Sequence, residues 1–391
     1  MALPRVAVIG GSLGGLTAAA LLRDLGCDVD VYERTPEPLA GLGTGVIAQP
    51  ELVRYLVERR GLDLDAISVS STEIRHVEAG DGSLRGSSEQ AWRFTSYDVL
   101  YRGLLDAFGR ERYHLGHALV GLDQTDDAVE LRFGNDAVVE CDLAVAADGG
   151  SSVVRQRLLD VMPAYAGYVS WRGLVARDAV SDATWEAFDD RFTYGHLPDG
   201  HLIAYPIPLL APGGLEVVGR QLNFQWYWNV PGGAALDELM SDRDGMRRPV
   251  SVHHHLLQAR VLRELERRAR AELCPSFREL LLAAEEPFVT VIADADTPRM
   301  ALGRVALIGD AAITGRPHTG AGGAKAAADG WALADALAVA DGDVPAALAA
   351  WEPARLAVGR ALLAKVRRMG TALQHGGEFR PGDPANRWGL G

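Results

Sequence analysis

The sequence predicts an α/β protein in which a discontinuous α/β domain is interrupted by a mainly antiparallel β-sheet domain and closed by C-terminal helices. Three observations carry that prediction. The first is a βαβ opening: an apolar run from Arg5 to Ile9, the turn Gly10-Gly11-Ser12-Leu13-Gly14-Gly15, helical spacing from Leu16 to Leu25, and a second strand from Asp28 to Glu33. The second lies near the C-terminus. There Gly303-Arg304-Val305-Ala306-Leu307-Ile308-Gly309-Asp310-Ala311-Ala312 reads as a buried strand ending in a carboxylate, followed by a Gly-rich turn and a helix of small residues. The third is the change of pattern between them, with short alternating strands from about Thr72 to Arg93, Asp81-Gly82 as a hairpin turn, and strand candidates at Leu202 to Ile207 and Leu222 to Val230.

The remaining elements follow in order. Leu100 to Phe108 reads as a helix, and Val129 to Phe133 and Val138 to Ala146 as strands leading to Asp148-Gly149. Val252 to Leu273 reads as a helical stretch, Val344 to Leu373 as closing helices, and the last dozen residues, with Pro381, Gly382 and Pro384, as an irregular tail. The α/β domain is therefore expected at 1–71, 95–160 and 291–391, and the sheet domain at 72–94 and 161–290. A chain of 391 residues has room for two coupled cores.

Bulk properties narrow the function. A net charge of −13 argues against nucleic acid or an anionic membrane surface as partner, since both are bound by basic patches. No run approaches the roughly 20 apolar residues that span a bilayer. Cys27, Cys141 and Cys274 are odd in number and lack a CxxC pair, which fits reduced thiols in the cytoplasm rather than a disulfide frame or zinc site. Lys325 and Lys365 are the only lysines, a bias read as genomic base composition.

The motifs carry the chemistry. In the first turn Gly10 permits the tight bend, Gly15 permits close helix packing, and the helix N-terminus is placed to receive a pyrophosphate. Ser12 stands where G-x-G-x-x-G has its middle glycine, and its small side chain still permits close approach and can donate to a phosphate. Glu33, 18 residues after Gly15, ends the second strand where adenosine ribose hydroxyls would bind, with Arg34 beside it. The second motif, Ala147-Asp148-Gly149-Gly150-Ser151-Ser152-Val153-Val154-Arg155, joins an apolar strand to an Arg-bearing helix. In the third, Asp310 is set to accept from a ribitol hydroxyl, and the helix after Pro317, Gly320 and Gly322 aims its N-terminal amides at the electron-rich edge of a flavin. Any one of these could be a plain turn; in this order they point to a Rossmann-like FAD-binding domain.

Together the three motifs resemble those of the class A flavin-dependent aromatic hydroxylases, the para-hydroxybenzoate hydroxylase type. Two positions depart from the family pattern: Ile313 replaces the histidine after G-D-A-A, and Tyr97 stands where the family has an FAD-contacting arginine. Within the family the chain looks most like the hydroxypyridine hydroxylases of nicotine breakdown. That match is carried by Asp30-Val31-Tyr32-Glu33-Arg34, Phe94-Thr95-Ser96-Tyr97-Asp98, Trp171-Arg172-Gly173, Asp199 through Pro208, Leu222 through Val230, Pro287 through Val291 and Arg316-Pro317-His318.

The resemblance implies a glutathione-reductase-type FAD domain, with FAD held by Gly10, Ser12, Leu13, Gly15, Glu33, Arg34, Gly45, Val46, Val120, Asp148, Asp310, Pro317, Gly320, Gly322, Gly323 and Ala324. It implies NADH or NADPH as a transient electron donor, O2 as co-substrate through a flavin C4a-hydroperoxide in a dry site, a small aromatic or N-heteroaromatic substrate, and a homodimer. His318 is the expected group that hydrogen-bonds or deprotonates substrate, because the loop before Gly320 faces the flavin in this family. Tyr205 and Gln225 are further substrate candidates, against the simpler reading of Tyr205 as a core residue. Asn223, Gln225 and Tyr227 share one face of their strand and Phe224, Trp226 and Trp228 the other; the sequence leaves open which face lines the pocket. His253-His254-His255 reads as a solvated stretch, and no metal is expected.

Four competing readings are weaker. Trp226-Tyr227-Trp228-Asn229-Val230-Pro231 resembles the W-x-W-x-I-P signature of flavin-dependent halogenases, but those need a lysine in the N-terminal half and the first here is Lys325. A non-catalytic binder on this scaffold would not need all three nucleotide motifs. A dehydrogenase would bind flavin without consuming oxygen, and a hydroxylase of another phenolic or N-heteroaromatic ring would differ only in its pocket.

Overall fold

Short apolar strands rich in valine and alanine build the first layer. Arg5–Ile9, Asp28–Tyr32, Leu143–Ala146 and Val305–Leu307 pair in parallel within a six-stranded sheet. Its order runs Ala301–Leu302, Val305–Leu307, Leu143–Ala146, Arg5–Ile9, Asp28–Tyr32, Tyr113–His114. Arg5–Ile9, Leu143–Ala146 and Val305–Leu307 are the near-continuous apolar runs that a parallel sheet covered on both faces requires, while Asp28–Tyr32 alternates through Asp28 and Asp30. The computed structural model describes residues 3–41, 44–376, 379, 383 and 388–390; Pro381, Gly382 and Pro384 of the expected tail lie outside them.

Two helices pack on this sheet through small residues. A Cβ on Gly14 of the helix Leu13–Asp24 would lie 2.7 Å from the Cβ of Ala326, and one on Gly330 would lie 3.1 Å from the Cα of Ala18. Ala326 and Gly330 belong to the helix Gly322–Val339, so glycine and alanine here allow the close crossing on which both nucleotide turns depend.

The second layer is a nine-stranded sheet ordered Ser251–Val252, Phe288–Asp294, Ala164–Ala176, Val217–Asn229, Gly200–Leu210, Arg191–Leu197, Val69–Glu78, Leu84–Ser96, Gly45–Ile47. Every pairing is antiparallel except Arg191–Leu197 with Val69–Glu78. Phe224, Trp226 and Trp228 join Trp171 in a core closed by the helices Ala259–Glu272 and Pro275–Leu282. The tryptophans are therefore sheet packing, and the Asn223, Gln225 and Tyr227 face is left for the other domain. A third, three-stranded meander holds Leu119–Gln124, Val129–Phe133 and Val138–Cys141.

The structure redraws several boundaries. The single strand expected from Val138 to Ala146 breaks at Asp142, which bonds Arg5, and its halves join different sheets. Gly45–Ile47, expected in the first domain, pairs with Leu84–Ser96 as the edge of the larger sheet. The stretch from Val252 begins as a strand, passes through the 3-10 turn His254–Leu256 and becomes α-helical only at Ala259. Val344–Gln374 is one 31-residue helix that continues through Pro353, because its buried face outweighs the lost amide. Among the described residues no helix is long and apolar enough to cross a membrane.

One buried ionic node ties the last strand to the two final helices. Asp329 Oδ2 accepts from the Gly309 amide at 2.9 Å and from Lys325 Nζ at 3.1 Å, while Oδ1 accepts from Arg355 Nε at 2.7 Å. Asp329 is 0% and Lys325 2% exposed. Asp329→Ala should therefore leave two cations uncompensated and cost about 3–5 kcal/mol. Urea unfolding of the purified variant measures this, and a loss below ~1 kcal/mol would mean that the cations find other partners.

Candidate active site

The first glycine turn is shaped by what surrounds it. Gly10 has φ +102°, and a Cβ there would sit 2.4 Å from the Ala147 carbonyl oxygen; one on Gly15 would sit 1.9 Å from that of Gly10. Glu33 holds the turn from below, accepting from the Gly11 amide at 2.8 Å through Oε2 and from the Thr35 amide at 3.0 Å through Oε1. Above the turn lies a cavity of about 770 Å³. Gly10, Ser12, Glu33, Arg34, Gly45, Val46, Tyr97, Asp148 and Arg172 all contribute to its wall. Ser12 Oγ is 2.9 Å from Tyr97 Oη, so the substituted glycine and the substituted arginine are in direct contact.

The second motif closes the same cavity. Asp148 Oδ2 accepts from the Val153 amide at 2.8 Å and so caps the helix Val153–Leu159, while its Oδ1 is buried without a partner. Burial pushes the Asp148 pKa up, against the hydrogen bonds from Ser152 and the helix amides. Arg155, 0% exposed, donates to the Asp310 carbonyl at 2.9 Å, the Ala311 carbonyl at 3.1 Å and the Gly150 carbonyl. It thereby staples the second motif to the third, a role its place in the sequence did not disclose.

A second cavity, about 230 Å³, begins where the first ends, and the two share Gly45, Val46 and Arg172. Asp310, Ile313, Pro317, Gly320, Gly322 and Gly323 of the last motif line it together with Tyr205 and Gln225 of the inserted sheet. The Asp310 carboxylate has no hydrogen-bond partner among the described residues; burial raises its pKa, and Lys325 and Arg155 oppose that rise. Gly320, at φ +59°, has Ile47 Cδ1 only 2.7 Å from where a Cβ would be, so the turn accepts no side chain.

Four of the expected site residues are placed differently. Val120 is 48% exposed on the outer side of its strand, and Ala118 and Leu119 line the cavity instead. Leu13 and Ala324 are buried in helix packing, outside both linings. His318 is turned away from the cavity. It sits in one turn of 3-10 helix whose flanking residues, Pro317 and Thr319, take the cavity side and send its ring behind the loop. There Nε2 is 2.6 Å from Tyr168 Oη, and the ring packs against Tyr227 and His201. Burial, with Arg316 nearby, pushes its pKa down to about 3.

The substrate candidates on the sheet fare better. Tyr205 lines the smaller cavity, with its hydroxyl donating to the Gly45 carbonyl at 2.9 Å. Gln225 lines it too, its Oε1 accepting from Tyr227 Oη at 2.7 Å. Asn223 Oδ1 accepts from the Gly45 amide at 2.9 Å. Sequence reasoning missed Arg172, although Trp171-Arg172-Gly173 stood out; an arginine inside a strand of an apolar domain was the available signal. His253 stacks on Phe288 at the rim of the larger cavity, and no cluster of three or more metal-ligating side chains occurs among the described residues.

These residues fit FAD. The larger cavity runs from the strand-end acid Glu33 past a tight glycine turn to the unpartnered Oδ1 of Asp148, and the smaller begins at Asp310, near the N-terminus of the helix Gly322–Val339. Comparison with known proteins agrees. Residues 4–204 match a family described as FAD binding domain, and residues 165–294 one described as FAD binding domain-like. The chain is 52% identical over 386 residues to 2,6-dihydroxypyridine 3-monooxygenase of Paenarthrobacter nicotinovorans, covering 99% of this chain and 96% of that one. The solved structure of 2,6-dihydroxypyridine-3-hydroxylase from Arthrobacter nicotinovorans superposes with a TM-score of 0.95, at 52% identity, over 99% of this chain and 97% of that one. An FAD complex of a Klebsiella pneumoniae HpxO variant superposes with a TM-score of 0.78 at 25% identity, covering 95% and 91% of the two chains. The chain belongs to the FAD-dependent aromatic monooxygenases, in the family that includes 2,6-dihydroxypyridine 3-monooxygenase.

Proposed function

We propose that this enzyme hydroxylates 2,6-dihydroxypyridine to 2,3,6-trihydroxypyridine, using NADH or NADPH and O2. The observation that carries the reading is the pair of cavities joined at Gly45, Val46 and Arg172, in a chain 52% identical across its length to a dihydroxypyridine monooxygenase. Gly10, Ser12, Glu33, Arg34 and Asp148 would hold the adenosine diphosphate half of FAD. Gly45, Val46, Asp310, Pro317, Gly320, Gly322 and Gly323 would hold the flavin half. When bound, FAD supplies activated oxygen with electrons drawn from the nicotinamide donor.

The chain itself orients the ring and keeps water out. The smaller cavity is walled by Ile203, Ile313, Leu362, Leu363 and Val366, with Gln225 and Arg172 as polar groups set among them. His318 acts on this wall from behind, through Tyr168 and the Pro317–Thr319 turn, as a positioning residue. A cytoplasmic location is in keeping with Cys27, Cys141 and Cys274, all free and buried. A homodimer is the assembly the resemblance implies.

Oxygen uptake with NADH and 2,6-dihydroxypyridine, followed by mass analysis, tests the reading. Coupled uptake should give a product heavier by one oxygen; uptake ending only in peroxide would mean a different ring is the substrate. Asp310→Ala should purify largely colourless, and full flavin occupancy in that variant would remove Asp310 from the cofactor site. With a pKa of about 3, His318 stays neutral from pH 5 to 9. His318→Gln should therefore lower kcat without moving any inflection of the pH profile in that range; loss of an inflection near pH 6–7 would show that His318 titrates during turnover.

A further inference from the structure

Three cationic side chains face the smaller cavity: Arg172, Arg316 and Lys325. Two are neutralised. Arg316 pairs with Asp294 at 2.9 Å, and Lys325 with Asp329 at 3.1 Å. Arg172 has no carboxylate and no hydrogen-bond partner among the described residues, and its Nε is buried unpartnered. Its strand neighbours explain why it stays there. It stands in register with Gln225 across the antiparallel pair, flanked in sequence by fully buried Trp171 and by Gly173. An unpaired guanidinium in such a wall is costly unless a ligand anion completes it.

We propose that Arg172 binds the ring substrate as its anion, so that the substrate hydroxyl loses its proton to solvent on entry. This rests on the hydroxypyridine reading above and goes one step further, to the protonation state selected. Arg172 also lines the larger cavity, but a pyrophosphate there would face the glycine turn and the helix Leu13–Asp24, so within the smaller cavity two anions could meet Arg172: the electron-rich edge of reduced flavin and an ionised ring hydroxyl. The 18-residue helix starting at Gly322 would offer its N-terminal amides to the first. That leaves Arg172 for the second, where a planar guanidinium suits an oxygen whose charge is spread over a ring.

The rest of the wall agrees. Gln225 spends its carbonyl on Tyr227, which leaves its amide N–H groups as donors to the cavity. Tyr205 spends its proton on Gly45. Apart from Asp310, in the flavin half of the site, no carboxylate or histidine lines this cavity to take a proton from the substrate. A wall of donors without a base favours a ring that arrives ionised: the O–H bond breaks as the ring leaves water, the proton goes to bulk solvent, and the electron pair stays to activate the ring carbon. Arg172 is thereby a specificity-determining residue that excludes neutral rings lacking an acidic hydroxyl.

The test is a titration of oxidised holoenzyme with 2,6-dihydroxypyridine from pH 5 to 9, followed by the change in flavin absorbance, in wild type, Arg172→Lys and Arg172→Met. Wild type should bind more tightly as the ring ionises. Arg172→Met should keep its FAD, lose that pH dependence and bind about 10-fold or more weakly where the anion predominates. Arg172→Lys should retain the pH dependence at intermediate affinity. An Arg172→Met enzyme with unchanged affinity, or weakened equally at every pH, overturns the assignment. So does one that purifies without FAD while Arg172→Lys keeps it, which would make Arg172 a cofactor ligand. Wild type that hydroxylates the ring while any of these holds leaves the functional reading intact; wild type that neither binds nor hydroxylates it overturns both.

Discussion

Gly45 is gripped from both of its backbone polar atoms by the inserted sheet. Asn223 accepts from its amide and Tyr205 donates to its carbonyl, each at 2.9 Å, and Asn223 and Tyr205 are themselves register partners on adjacent strands. No side chain fits at this point, since a Cβ would lie 2.7 Å from Tyr205 and 2.8 Å from Ile207. The clamp fixes the junction at which the two cavities meet. It also commits the proton of the Tyr205 hydroxyl to the scaffold, which leaves that oxygen only its lone pairs to offer the cavity.

Around that junction, charge is arranged before any ligand arrives. Asp329 gathers Lys325 and Arg355, and Asp294 gathers Arg316 at 2.9 Å and Arg367 at 3.2 Å. Arg155 satisfies itself on backbone carbonyls of both flavin turns. Behind the cavity, Tyr168, His201, Tyr227 and His318 form a layer that burial keeps neutral, the histidine pKa values pushed down and those of the tyrosines up. A site whose dipoles and charges are already fixed loses little in reorganisation during the reaction, which is where electrostatic catalysis gains most. Against that background Arg172 is conspicuous as the cation of the cavity wall whose side chain has no partner among the described residues.

The two departures from the family pattern show how sequence and structure divide the work. Read along the chain, Ser12 and Tyr97 are unrelated losses of a glycine and an arginine, 85 residues apart. In space they are a single hydrogen-bonded pair at the mouth of the glycine turn. His318 shows the opposite case: its position in the loop was legible, but the direction of its side chain was not. A 3-10 turn rotates each side chain by about 120° from the last, and only packing against Tyr168 and Tyr227 selects the direction His318 takes. Val120 is turned outward for a similar reason, since one step along a strand reverses the face.

By itself the sequence determined the α/β class, the nucleotide turns and their order, because glycine at a tight bend and an acid at a strand end are local requirements that leave a local trace. It also determined that a polar face, Asn223, Gln225 and Tyr227, and an aromatic face, Phe224, Trp226 and Trp228, competed on one strand. Only the tertiary structure decided which face meets the cofactor domain, that Gly45 is the point of contact, and that Asp329 anchors the last turn rather than lining the cavity. Those outcomes depend on residues distant in sequence filling one space, and neither burial nor the pairing of charges is fixed until the two sheets have come together.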